Sequence, residues 1–262
     1  QRDTGTVTDI GLAHALFPDL LTLVQAREHV YLYGPSGAGK SSAVPQIPRA
    51  LGLRTAHLST NPATPESRLL GYKAAGGEYQ STPFRQCYEQ GGVFAWEEAD
   101  NAHPALQNTI NTGLANGTMS FPDGMVDRHP DFVLVADGNT AGLGGDLAFP
   151  ERRAFDPAFR DRFVVLHWPI DTALETACTD AQGAGEAGQT WLSWIRALRT
   201  HAATIAPRLV VSPRASMRGA KLLRLTDWPV ETIAERTVFK GLDPATVRTL
   251  LAACPLPTTC RP

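Results

Sequence analysis

The chain has 262 residues, 43% of them hydrophobic and 19% charged, and a formal net charge of −2. These values suit a globular protein with one sizeable core, or with a large domain and a small one, and the near-neutral balance argues against a protein that coats nucleic acid or an anionic membrane. No apolar run approaches the roughly 20 residues that span a bilayer, so no membrane partner is expected. The opening Gln1-Arg2-Asp3-Thr4-Gly5 is polar and carries no signal-peptide core. Cys87, Cys178, Cys254 and Cys260 lack the spacing of a zinc knuckle or a redox dithiol. Thiols of this kind fit a reducing, cytoplasmic setting.

In chain order, the first apolar run is residues 29–33, and a helix is expected over about 40–51. A second run covers 55–59, followed by an irregular insert at 71–80 and a helix over about 84–90. A third run, 93–96, leads to a helix over about 104–115. Thr118-Met119-Ser120-Phe121 and Met125-Val126-Asp127 flank Pro122-Asp123-Gly124, which reads as a protruding hairpin. Runs at 132–136 and 163–167 follow. Unbroken apolar runs suit strands buried on both faces of a parallel sheet, and their alternation with helices predicts a doubly wound α/β layer. Beyond about Pro169 only helical patterns remain, at about 190–205, 215–225, 230–239 and 244–253, with a loop expected at 183–188. The expected organisation is an α/β nucleotide-binding domain over 1–169 and a small all-helical lid domain over 170–262.

Gly34-Pro35-Ser36-Gly37-Ala38-Gly39-Lys40-Ser41 matches G-x-x-x-x-G-K-[ST] in full, with a strand entering it and a helix leaving it, and these residues together with Ser42 are the expected nucleotide-binding set. Glycines let backbone N–H groups converge on phosphate oxygens, and a helix N-terminus adds partial positive charge. In this pattern Lys40 reaches the β and γ phosphates and the Ser41 hydroxyl ligates Mg²⁺.

Residues 91–98 form an apolar strand ending in Glu97-Glu98. Acids at the C-terminal edge of a parallel sheet face the ligand crevice. There one acid, Glu97, would order the Mg²⁺ shell through water and its neighbour, Glu98, would polarise an attacking water. Asn139, in Asp137-Gly138-Asn139-Thr140, is placed to stand beside the γ-phosphate. Arg160 or Arg162 would supply charge to a neighbouring subunit's nucleotide, with Arg162 preferred; the competing reading is a surface ion-pair network among Arg152, Arg153, Asp156, Asp161 and Arg162. Arg214 follows Ser212-Pro213 in the first turn of a helix, where a cation opposes the helix dipole unless a phosphate lies nearby.

With these residues assembled, the chain resembles the AAA+ ATPases, and more narrowly their MoxR, CbbQ and CobS-type branch, over about residues 13–253. The carriers are the phosphate loop, Gly91-Gly92-Val93-Phe94-Ala95-Trp96-Glu97-Glu98, Ala136-Asp137-Gly138-Asn139-Thr140, Phe155-Asp156-Pro157-Ala158-Phe159-Arg160-Asp161-Arg162-Phe163 and Ser212-Pro213-Arg214. The resemblance implies a P-loop NTPase fold with a five-stranded parallel sheet and a helical lid, ATP with Mg²⁺ as cofactors, and a hexameric homo-oligomeric ring. It also implies a protein client, with a von Willebrand A-type partner as in related systems, and pore loops at 71–80 and 118–127. The family usually carries Asp where this chain has Glu97, which makes binding a firmer expectation than fast hydrolysis. Two other functions stay open. One is a nucleic-acid motor, disfavoured because Lys73 and Arg128 share the inserts with Glu78, Asp123 and Asp127. The other is a nucleotide-gated assembly module that hardly turns over.

Overall fold

The computed structural model describes residues 9–258; Gln1 to Gly5 and Cys260 lie outside the described residues. Nine strands occur among them: β1 (Val30–Tyr33), β2 (Thr55–Ser59), β3 (Tyr72–Lys73), β4 (Tyr79–Gln80), β5 (Gly92–Glu97), β6 (Thr118–Phe121), β7 (Gly124–Asp127), β8 (Phe132–Gly138) and β9 (Val164–His167). Five of them form one parallel sheet in the order β2-β5-β8-β1-β9. The α/β architecture read from the apolar runs is therefore the observed one. Burial on both faces holds for the inner strands only. All seven residues of β8 are buried, whereas every residue of the edge strands β2 and β9 is exposed or half-exposed.

Contacts between Cα atoms group the chain into two compact units. One comprises residues up to Gly34, Gly39–Asp146 and Pro150–Trp168; the other comprises Pro35–Ala38, Leu147–Phe149 and Pro169 onward. In the first unit the core is aromatic, with Phe84, Tyr88, Phe94, Trp96 and Phe132 packed beneath the sheet. The helix Pro83–Gln90 starts where Thr82 Oγ1 accepts the Arg85 N–H at 3.1 Å and proline fills the first turn, where no N–H is needed. The 118–127 segment is a two-stranded antiparallel hairpin, as its turn chemistry requires. Arg85 pins it: its guanidinium pairs with Asp123 at 2.7 Å and Glu89 at 3.1 Å and lies 4.5 Å over the Phe121 ring. The 71–80 insert is a smaller antiparallel ribbon, β3 with β4.

The expected single helix over 40–51 is two short ones, Lys40–Ala43 and Gln46–Leu51. Pro45, which lacks an N–H and crowds the preceding turn, sits at the break.

In the second unit a 21-residue helix, Gly185–Ile205, carries the core through Trp191, Trp194, Ile195 and Leu198. It begins inside the expected 183–188 loop, so Gly185 and Gly188 are helical. Apolar periodicity starting at Ala187 overrides the poor helix propensity of two glycines. A helix at Thr172–Asp180 precedes it, capped by Asp171 Oδ1, which accepts the N–H groups of Ala173 and Leu174. Glu175 on that helix is buried and accepts from Arg196 Nε at 3.1 Å, Arg199 Nη2 at 2.5 Å and Ser216 Oγ at 2.6 Å, joining three helices of the unit. Among the described residues no helix is long and apolar enough to cross a membrane.

Candidate functional site: the phosphate loop and the carboxylates of the sheet edge

The chain leaves β1 at Tyr33 and enters the phosphate loop at Gly34. That residue has to be glycine, since a Cβ there would lie 2.0 Å from the Trp168 carbonyl oxygen. Gly39, at φ 89°, makes the left-handed turn into Lys40. Lys40 is buried. Its ammonium donates to the Gly34 carbonyl at 2.7 Å and to Asn139 Oδ1 at 3.2 Å, which links the loop to the end of β8. Because the helix after Lys40 is only four residues long, its dipole adds less than a full helix would, and the lysine supplies most of the positive charge.

The parallel register sets the acids beside this loop. Trp96 of β5 lies opposite Ala136 of β8, so Glu97 and Asp137, one residue on, emerge together. Asp137 is buried; its Oδ2 accepts the Ser41 hydroxyl at 3.0 Å and its Oδ1 accepts the Glu98 N–H at 3.0 Å. Burial pushes the Asp137 carboxyl above its ordinary range, against the pull of those two hydrogen bonds and of Lys40. Burial likewise raises Glu97, helped by the negative charge of Asp137 and opposed by His57. A buried, partly compensated set of carboxylates favours a cation.

Glu98 adopts φ 55° and ψ 41°, a left-handed conformation that costs a non-glycine residue energy and turns the chain sharply out of β5. Its carboxylate is taken by Arg152 Nη1 at 3.1 Å and by Asn101 Nδ2 at 3.4 Å. The same guanidinium stands 3.3 Å from Asp100 Oδ1. Asp100 has no exposed side-chain surface, and its Oδ2 accepts from the backbone N–H groups of Asn139 and Thr140 and from the Thr140 hydroxyl, at 2.9 to 3.0 Å. Asp100 thus orders the segment that presents Asn139.

Lys40, Ser41, Glu97, Glu98 and Asn139 therefore share one edge of the sheet. Arg162 does not join them. It is exposed and donates to Asn111 Oδ1 at 3.0 Å, while half-buried Arg160 donates to the Ala141 carbonyl at 3.2 Å. In this segment Arg152 turns to Glu98 and Asp100, and Asp156 caps the helix Pro157–Arg160 by accepting the Ala158 N–H. Arg214 lies in the second unit, where its guanidinium donates to Ser36 Oγ at 3.2 Å. Ser42 is exposed, and its N–H donates to the Gly39 carbonyl.

Three residues of the site carried no catalytic or binding role in the sequence: Asp137, Asp100 and Arg152, the last named only for a surface ion-pair network. Asp137 had a legible signal, because an acid directly after an apolar strand is the same pattern that singled out Glu97. Asp100 and Arg152 are 52 positions apart and had none.

Fold and site together define a nucleotide-binding P-loop architecture of the AAA+ type. The model of the AAA domain, dynein-related subfamily, matches residues 29–163, and the chain belongs to this family. Among curated proteins it is 26% identical over 166 residues to midasin of Dictyostelium discoideum, covering 60% of this chain and 3% of midasin. It is 27% identical over 150 residues to mouse von Willebrand factor A domain-containing protein 8, covering 49% of this chain and 8% of that protein. The chain thus spans only a small part of either relative's length. Among solved structures, a candidate ATPase from Cytophaga hutchinsonii aligns over 92% of this chain and 90% of its own, with a TM-score of 0.51 and 14% identity. A variant of RuvB from Thermotoga maritima aligns over 92% of this chain and 69% of its own, at 0.50 and 16%. At such identities the likeness concerns the fold.

Proposed function

We propose that this chain binds ATP with Mg²⁺ on Gly34–Ser41 and hydrolyses it as one subunit of an AAA+ ring that remodels a protein partner, in the manner of the MoxR, CbbQ and CobS-type branch. The observation that carries the reading is the bridging of the phosphate loop to the sheet edge: Lys40 to Asn139, and Ser41 to Asp137. That arrangement joins the phosphate-holding residues to the groups that would face the γ-phosphate. Family membership supports it.

The residues suit the metal. Ser41 and Glu97 offer hard oxygen donors beside the buried negative charge of Asp137, surroundings that suit Mg²⁺. When bound, the ion would offset charge on the β and γ phosphates. Glu98 would orient the attacking water and accept its proton, Asn139 would hold that water and the γ-phosphate, and Lys40 would shift from the Gly34 carbonyl toward the phosphates. Arg162, exposed and donating to the neutral amide of Asn111, is the better candidate for reaching a neighbouring subunit; Arg160 is occupied by a carbonyl of its own chain. Arg214 would read the phosphates from the helical domain, which we place at 170–262 after the α/β domain at 1–169.

A hexameric homo-oligomer, with the 71–80 and 118–127 hairpins lining its pore, follows from the same reading, as does a von Willebrand A-type partner. The mouse relative, named for such a domain, supports that partner weakly. The charges of the hairpins do not favour nucleic acid, since Lys73 and Arg128 share these inserts with Glu78, Asp123 and Asp127. A slow, assembly-gating ATPase is favoured by one observation, the occupation of Glu98 by Arg152. The test is Glu98→Gln: turnover should fall about 100-fold or more while ATP affinity is kept. An unchanged rate would remove Glu98 as the base.

A further inference from the structure

Asp137 is the penultimate residue of a strand buried along its whole length and is 4% exposed. Burying a carboxylate there costs free energy that its two hydrogen bonds only partly offset. One of those bonds has a directional consequence. The Ser41 hydroxyl has a single proton and two lone pairs; with the proton aimed at Asp137 Oδ2, 3.0 Å away, the lone pairs are left for another electrophile, and the oxygen is made a better donor. Glu97, on the adjacent strand, is the acid that the family pattern nominates for the cation, yet it does not take this proton.

We propose that Asp137 is the positioning residue of the cation site: it fixes the Ser41 oxygen as a ligand for the divalent ion that accompanies the nucleotide, so that cation affinity depends more on Asp137 than on Glu97. This deepens the phosphate-loop reading and rests on it. The acid one strand over takes the part usually played from β5, which frees Glu97 to differ from the family's Asp without loss of the site.

The test uses Mn²⁺ as the probe, followed by electron paramagnetic resonance, on the full chain with ADP. Asp137→Asn keeps the shape and the acceptor for the Glu98 N–H. It turns an amide N–H toward Ser41, so the serine must spend a lone pair accepting it. Mn²⁺ affinity of the ADP complex should fall at least about tenfold, and ADP affinity in EDTA should stay within about twofold of the parent. Glu97→Gln should lose less Mn²⁺ affinity than Asp137→Asn. The double variant Ser41→Ala with Asp137→Asn should lose no more than Ser41→Ala alone, since both act through one oxygen. If circular dichroism shows Asp137→Asn unfolded, Asp137→Thr replaces it, and the same tenfold loss is required. Mn²⁺ affinity within twofold of the parent, a larger loss in Glu97→Gln, or additive losses in the double variant would each overturn the inference while leaving the nucleotide site standing. A parent chain that binds no ADP would instead remove the nucleotide-site reading, and this inference with it.

Discussion

Glu175 and Asp137 are both buried carboxylates, one in each unit of the molecule, and they are treated oppositely. Glu175, in the helical unit, is met by Arg196, Arg199 and the Ser216 hydroxyl. Burial by itself would raise its pKa, but the hydrogen bonds and charge of Arg199, with Ser216 and Arg196, outweigh it and the carboxyl is lowered. Asp137, in the sheet unit, has a hydroxyl, a backbone N–H and the nearby Lys40, and burial wins: the carboxyl is raised. A buried acid whose partners more than compensate it is part of the scaffold. One that is left under-compensated beside a phosphate loop is arranged for a charge that the folded chain does not itself provide.

The sharpest way to break this contrast is Glu175→Ala. It leaves two arginines facing an apolar gap, and the unit should lose about 3 kcal/mol, near the lower end for a buried pair because both arginines are partly exposed. Urea denaturation would read the loss; a change below about 1 kcal/mol would mean that the cluster is not structural.

Acid should then separate the two units by their titration windows. His29 accepts the Leu134 N–H on Nδ1 and is lowered to about 4, first by burial and then by Arg128. For a base with a lowered folded pKa, the unfolded chain binds the proton more readily, so stability is lost as pH falls from about 6.5 toward 4. The amount is on the order of 1–3 kcal/mol. Glu175 has the opposite protonation chemistry but the same direction: its contribution is complete above the ordinary carboxylate range and is lost only as pH falls through its lowered folded value. Replacing His29 with Gln should therefore flatten the pH 6.5 to 4 region of a stability profile and leave the steeper loss below it. A profile unchanged by that substitution would show that His29 does not set the upper window.

The smallest effect expected is the most discriminating. Asp137→Asn in the metal-free, nucleotide-free protein should leave stability unchanged or raise it by up to about 1 kcal/mol, since it removes a buried charge that is not fully compensated. A loss of 3 kcal/mol, as expected at Glu175, would erase the distinction between the two acids.

Local sequence was enough to determine the five sheet strands, the phosphate loop and the hairpin at 118–127. Each is written in a contiguous stretch: unbroken apolar runs, a spaced glycine and lysine pattern, a Pro-Asp-Gly turn. Its errors were local as well. Pro45 broke a helix that apolar spacing had carried through, and Gly185 and Gly188 were drawn into a long helix by the tryptophans that follow them. The carboxylate network was decided by the tertiary structure. Parallel register set Asp137 beside Glu97, and burial under the sheet edge let Asp100 order the Asn139 segment while Arg152 reached both Asp100 and Glu98. Hydrogen-bond partners 39 to 54 residues apart leave no periodic trace in a chain. Their meeting follows from strand order and pleat, and a single proton on Ser41 then selects one acid over its neighbour.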